Sequence, residues 1–357
     1  MGDKAPPPVD QKAAHSASGF FAGLVLDGRY RLESLLGEGG MGTVWEGSQL
    51  ALQRQVAVKT LHVAAPAFRA RLRREALALA AVHHPSIVEV YDYGETPAGL
   101  PFVVMELVRG ESLARRLDRV GALPAEEAVS LVLPILEGLA AAHRAGVIHR
   151  DIKPDNVVLA EGPAGALPKL LDFGIARLEN DVDARLTQVG SFVGTPAYMA
   201  PEQMRNGPTD ERVDVWGVGA LLYHLIAGEA PFGVQDLLQV MRRVLEDPPS
   251  YPRKARGLDG RLWRIMMAAL RKLPDERTPT ALALRDALAG WLETRGVATQ
   301  PGIVTSDTAP SRATLPIDPT LPAARTPASL PASALVPSTT DDAPPSFDGL
   351  IRAKLGR

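Results

Sequence analysis

The chain has 357 residues, 46% hydrophobic and 22% charged, with a formal net charge of -2 and no cysteine. This excludes disulfides, thiol catalysis and Cys-ligated zinc, and leaves no general nucleic-acid footprint. The start "MGDKAPPPVDQKAAHSASG" has no apolar core of signal-peptide length, and no run reaches the ~20 apolar residues of a membrane span. A soluble, cytoplasmic protein without nucleic-acid or membrane partners is expected.

Residues 1–26 are rich in Pro, Ala and Ser and predict a disordered segment. Residues 29–32 alternate like a strand, and residues 56–59 do so again. Between them lies "LLGEGGMGTVWEG", residues 35–47, glycine-rich and continuing into Val44-Trp45 as a strand. The spacing Gly37-x-Gly39-x-x-Gly42 decides little, since three glycines so placed arise by chance in roughly one chain in eight of this length. A dinucleotide fold would follow it with a helix and a ribose-binding carboxylate about 20 residues on. Residues 53–62 hold no carboxylate.

Residues 67–82 have helical spacing and stop at His84-Pro85, and two short strands, 87–93 and 102–107, follow. Residues 27–108 thus predict a small sheet with one helix. From Leu113 helices dominate, interrupted by short strands near 146–174, and residues 109–297 predict a larger helical part. Pro134, inside a helix, is expected to cost about 3 kcal/mol or to kink it. Residues 298–357 turn to Pro, Ala and Thr with almost no aromatics and predict a disordered tail.

Ala57 and Lys59, two apart on one strand, face the same side under the glycine segment. Glu75 is the only acid between Lys59 and Glu89, so it is the candidate to aim that lysine. The decisive stretch is "HRDIKPDN", residues 149–156, followed by "LLDFG", residues 170–174, and by Ala200-Pro201-Glu202. Five fixed residues in the first of these coincide by chance in roughly one chain in ten thousand or fewer.

With these motifs the sequence resembles the protein kinases over about residues 28–292, in wording closest to bacterial serine/threonine kinases of the eukaryotic-like type. The resemblance implies an α+β two-lobe protein-kinase fold, ATP and Mg²⁺ as cofactors, and protein substrates with Ser or Thr acceptors. It implies that Gly37, Glu38, Gly39, Gly40 and Gly42 cover the phosphates. Val44, Ala57 and Val158 would sandwich the adenine, and Glu106 and Val108, after Met105, would meet its edge through backbone atoms. Lys59 would hold the α/β-phosphates, oriented by Glu75. Asn156 and Asp172 would hold the metal, Asp151 accept the substrate proton, and Lys153 offset developing charge.

Arg150 is expected to pair with a phosphorylated activation-loop residue, Thr187 first and Ser191 next, with Thr195 bonded within the catalytic loop. Autophosphorylation there implies a homodimer. A Glu202–Arg277 pair, catalytic-loop N–H groups on Asp214, and packing of Leu79, Val90, His149 and Phe173 are also implied. The alternative is a pseudokinase or scaffold working through the Pro-rich tail, against which Lys59, Asp151 and Asp172 are all present.

Overall fold

Strand alternation sorts the side chains of residues 54–61 onto two faces, and that sorting organises the first half of the fold. The computed structural model describes residues 19–39, 42–62, 65–161, 166–173, 196–205, 207–234 and 236–296. An antiparallel sheet is built from β1 (Val25–Leu26), β2 (Tyr30–Gly39), β3 (Gly42–Gln49), β4 (Arg54–Leu61), β5 (Val90–Glu95) and β6 (Pro101–Glu106). Its spatial order is β1-β2-β3-β4-β6-β5. On one face Val56 and Val58 pack with Phe20, Leu32, Trp45, Phe102 and Val104, while Ala57 and Leu61 join Val103 and Met105 on the other.

The expectation of disorder through residue 26 fails for residues 19–26. Phe20 is 1% exposed and Leu26 4%, and β1 pairs with Tyr30 and Arg31. A buried Phe is worth about 1.5–3 kcal/mol, enough to hold a short segment that composition alone marks as loose. The expected strand at 87–93 begins three residues later, because Ile87 instead bridges to Leu170 in the other half of the molecule.

Helix α1 (Pro66–Ala80) covers the inner face, with Phe68, Leu72, Ala76 and Leu79 buried in one stripe and Pro66 at its first turn. The second half holds a three-stranded sheet, β7 (Gly110–Ser112), β8 (Val157–Ala160) and β9 (Leu167–Leu170). Its described helices are α2 (Leu113–Val120), α3 (Ala125–Arg144), α4 (Pro201–Met204), α5 (Arg212–Ala227), α6 (Leu237–Glu246), α7 (Gly260–Ala269) and α8 (Ala281–Glu293). Ser112, Asp236, Asp259 and Thr280 cap four of these through their side chains. Helix α3 runs unbroken through Pro134, whose neighbours Val132, Leu133, Ile135 and Leu136 are all buried. Packing there offsets the one backbone bond that proline cannot make.

Helix α5 is buried along nearly its whole length and serves as the centre of this half. A Cβ at Gly217 would lie 2.9 Å from Cβ of Ile152, so the glycine lets the loop at 149–156 settle directly on the helix. Trp216 stacks on Phe232, ring centroids 5.7 Å apart. Trp263 is half-buried, between Tyr223 and Tyr251.

Arg277 donates Nη1 to Glu202 Oε1 at 2.7 Å and Nη2 to Oε2 at 3.0 Å, joining the start of α4 to the approach to α8. The guanidinium also donates to the carbonyls of Arg271 and Arg212. Both side chains are buried. Replacing Arg277 by Met is therefore expected to cost about 3–5 kcal/mol in urea unfolding, because it strands a buried carboxylate. Removing both charges, Arg277→Met with Glu202→Met, is expected to recover part of the loss. A single-variant cost below about 1 kcal/mol would mean that water reaches the pair.

Candidate active site

The glycine segment continues as extended backbone, β2 running out to Gly39 and β3 starting at Gly42. Two of its glycines have different reasons. A Cβ at Gly42 would meet the carbonyl oxygen of Thr60 at 2.1 Å, so β4 itself forbids a side chain there. A Cβ at Gly37 would meet nothing within 4 Å, so protein packing does not require that glycine, and close approach by a phosphate would. Beneath, Val44 pairs in register with Lys59, and Ala57 with Met105. Ala57, Met105 and Val158 are buried, and Val44 and Val108 are partly buried against the same core.

The loop at 149–156 hangs from one buried carboxylate. Asp214 Oδ2 accepts from the His149 N–H at 2.8 Å and Oδ1 from the Arg150 N–H at 2.8 Å. His143 Nε2 lies 2.7 Å from Oδ2 as well. The loop is strained at Arg150, with φ +64°, and the facing segment at Asp172, with φ +47°, two of the four non-glycine residues with positive φ among those described. Such backbone costs of order 1–3 kcal/mol per residue and persists where surrounding bonds over-determine it. Gln203 adds one of those bonds, donating Nε2 to the Arg150 carbonyl at 3.0 Å.

Within that frame Asn156 Nδ2 donates to the Asp151 carbonyl at 2.7 Å and to Asp151 Oδ2 at 3.1 Å. Lys153 Nζ lies 3.3 Å from the same Oδ2. Asp151 is thus held by an amide and a cation. His149 is fully buried, its ring 4.6 Å from that of Phe173 and its Nε2 2.7 Å from the Leu171 carbonyl oxygen. Burial pushes its pKa down, which favours a neutral ring and a packing role. Leu79, Val90 and Phe173 line one cavity with Lys59 and Asp172.

The expected Lys59–Glu75 pair is not formed. Lys59 Nζ donates to Asp172 Oδ1 at 2.9 Å, and Glu75 pairs with Arg150 at 3.5 Å. Each acid instead meets a cation from the other half of the fold, Asp172 the strand lysine and Glu75 the arginine of the 149–156 loop. Burial raises the Glu75 pKa against the opposing pull of Arg150, Arg71 and Arg74. At Asp172 burial is the largest influence and opposes ionisation, but the Lys59 charge and hydrogen bond, with the nearby Lys153 charge, together hold the carboxyl below its usual range.

The chemistry of the donor set suits Mg²⁺ with a nucleotide. Asp172 and Asn156 offer hard oxygens from adjacent backbone, the Leu171 N–H donating to the Asn156 carbonyl at 2.8 Å. Among the described residues there is no cluster of three or more His, Cys, Asp or Glu that would cage a metal alone, so phosphate oxygens and water would complete the shell. Gly40, Thr187, Ser191 and Thr195 lie outside the described residues. Sequence reasoning missed His143 and Gln203. Each acts across more than fifty residues of chain, and neither carries a local signal.

Among the described residues no helix is long and apolar enough to cross a membrane. A serine/threonine-protein kinase pkn2 of Myxococcus xanthus is 41% identical over 273 residues, 74% of this chain and 33% of its own length. PknB of Mycobacterium tuberculosis is 39% identical over 267 residues, 73% of this chain and 42% of its own. PksC of Streptomyces coelicolor is 38% identical over 280 residues, 75% and 50%. This chain therefore spans half or less of the length of these curated relatives. The protein kinase domain model matches residues 30–283, the stretch that holds every described site residue above, and the chain belongs to that family.

Proposed function

We propose that this protein transfers the γ-phosphate of ATP to Ser or Thr hydroxyls of proteins, in the cytoplasm, with Mg²⁺. The observation that carries the reading is the local set around Asp151, a carboxylate aimed by Asn156 and flanked by Lys153 on a loop fixed to Asp214. Its relatives named serine/threonine-protein kinases support the choice of acceptor.

Asp151 accepts the proton of the substrate hydroxyl as its oxygen bonds the γ-phosphorus and the bond to the leaving ADP oxygen breaks. Lys153 sits where it offsets charge on the transferred group, and Lys59 reaches the α/β-phosphates. Asp172 and Asn156 would hold Mg²⁺, which would supply charge neutralisation on the phosphates, while the backbone of Gly37, Gly39 and Gly42 covers them. Ala57, Val44 and Val158 exclude water from the adenine faces, and the backbone of Glu106 and Val108 meets its edge.

Catalysis in this scheme requires Lys59 to release Asp172 and Glu75 to release Arg150. Phosphorylation at Thr187 or Ser191 supplies a reason for the second exchange. A phosphate carries about -1.5 to -2 charge against the single charge of Glu75, so Arg150 gains by moving to it. Glu75, left in a partly buried place, then has Lys59 as its partner. Autophosphorylation between two copies of the chain would deliver that phosphate.

Incubation of the purified protein with labelled ATP, Mg²⁺ and a generic basic protein substrate tests the reading directly, and nucleotide binding without any transfer would favour a pseudokinase. Asp151→Asn is expected to lower turnover by roughly 10²- to 10⁴-fold while ATP affinity stays similar. Asp172→Asn is expected to weaken Mg-ATP binding itself. An Asp151→Asn protein as fast as the parent would remove Asp151 from the proton transfer. Phosphopeptide mapping of the active enzyme is expected to find phosphate at Thr187 or Ser191, and Thr187→Ala to slow substrate phosphorylation. A fully active enzyme unmodified at both positions would sink the activation scheme.

A further inference from the structure

Glu106 ends β6 and opens the connection into the second half of the molecule, and a lysine from that second half holds it. Lys169 Nζ donates to both Glu106 carboxylate oxygens, each at 2.7 Å. The Lys169 side chain is 12% exposed. Glu106 is fixed on its other side too. Its N–H donates to the Glu89 carbonyl at 2.9 Å, and its Oε2 accepts from the Glu89 N–H at 3.3 Å. The strand that carries Lys169 is tied to the same neighbourhood, the Leu170 N–H donating to the Ser86 carbonyl at 2.8 Å and the Val88 N–H to the Leu170 carbonyl at 3.1 Å.

The register makes this pair more than a brace. Lys169 stands directly across from Val158 in the β8–β9 ladder, so both side chains lie on one face of that sheet. Val158 is the residue assigned to the floor beneath the adenine, and Glu106 belongs to the backbone assigned to its edge. A second ion pair near the same connection, Arg109 with Glu46 at 2.8 Å, has its arginine 70% exposed, and water screens it. The sheltered, two-armed Lys169–Glu106 contact is therefore the one able to fix the distance between edge and floor.

The geometry points to Lys169 as a positioning residue for the nucleobase, which sets the height of the Glu106–Val108 backbone above Val158 through the Glu106 carboxylate. This rests on the reading that those backbone atoms take the adenine edge. Lys169 touches no reacting atom, so its removal falls on recognition of the base and leaves the phosphoryl step alone.

The test uses the full chain with Lys169→Met, Lys169→Arg and Glu106→Gln. In Lys169→Met the KM for ATP and the dissociation constant for adenosine are expected to rise about tenfold, with kcat within about twofold of the parent, and Lys169→Arg to restore most of the loss. Binding of Mg-tripolyphosphate, which has no base, is expected to stay unchanged. Glu106→Gln breaks the pair from the other side with little change of shape, and is expected to show the same split. Adding Lys169→Met to it is expected to cost much less than it does alone.

Melting of each nucleotide-free variant reads the fold separately, and if Lys169→Met does not fold, Glu106→Gln carries the same comparison. Equal losses for adenosine and tripolyphosphate, or a fall in kcat with KM unchanged, would mean that Lys169 acts through Asp172 three residues on, and would overturn the assignment. Variants that bind adenosine like a competent parent would overturn it alone. A parent that binds tripolyphosphate but not adenosine would overturn the adenine reading and the assignment together.

Discussion

One carboxylate on the central helix governs the geometry of the site. Asp214 is almost wholly buried, and left alone there its charge would cost several kcal/mol. It is not alone: two backbone N–H groups of the catalytic loop and the His143 ring converge on its two oxygens. Hydrogen bonds to a charged group are worth about 1.5–3 kcal/mol each, enough together to offset the burial and the positive φ of Arg150. With the loop pinned at His149 and Arg150, Asp151 follows directly, and Asn156 and Lys153 need only local bonds to aim it.

The opposite wall is held less firmly, and its charges have alternatives. Lys59 and Arg150 between them face Asp172 and Glu75, and here the cations divide the carboxylates in the pairing Lys59–Asp172 and Arg150–Glu75. All four side chains keep some exposure, so no pair is locked by burial in the way that Arg277 and Glu202 are.

Between these two regions runs the connection from β6 to β7, where the sheet of the first half passes into the second. Backbone bonds among Ser86, Val88 and Leu170, and the side-chain contact between Lys169 and Glu106, join the halves there.

The sequence by itself determined the family, through its contiguous motifs, and the order of the parts. The runs at 149–156 and 170–174 are contiguous, and contiguous motifs can be read without knowing what they fold against. Alternation at 56–59 and the helical stripe at 68–79 likewise placed a sheet and its covering helix, because periodicity is a local property. What only the tertiary structure decided is who pairs with whom. Glu75 was legible as a partner for Lys59 because no other acid lay nearby in sequence, yet Asp172, 113 residues away, takes that lysine. Phe20 looked like part of a loose leader until a second face of the sheet appeared for it to cover. His143, Gln203 and Lys169 carry no local signature, since each acts through a contact whose two ends are brought together only when strands and helices from distant parts of the chain pack.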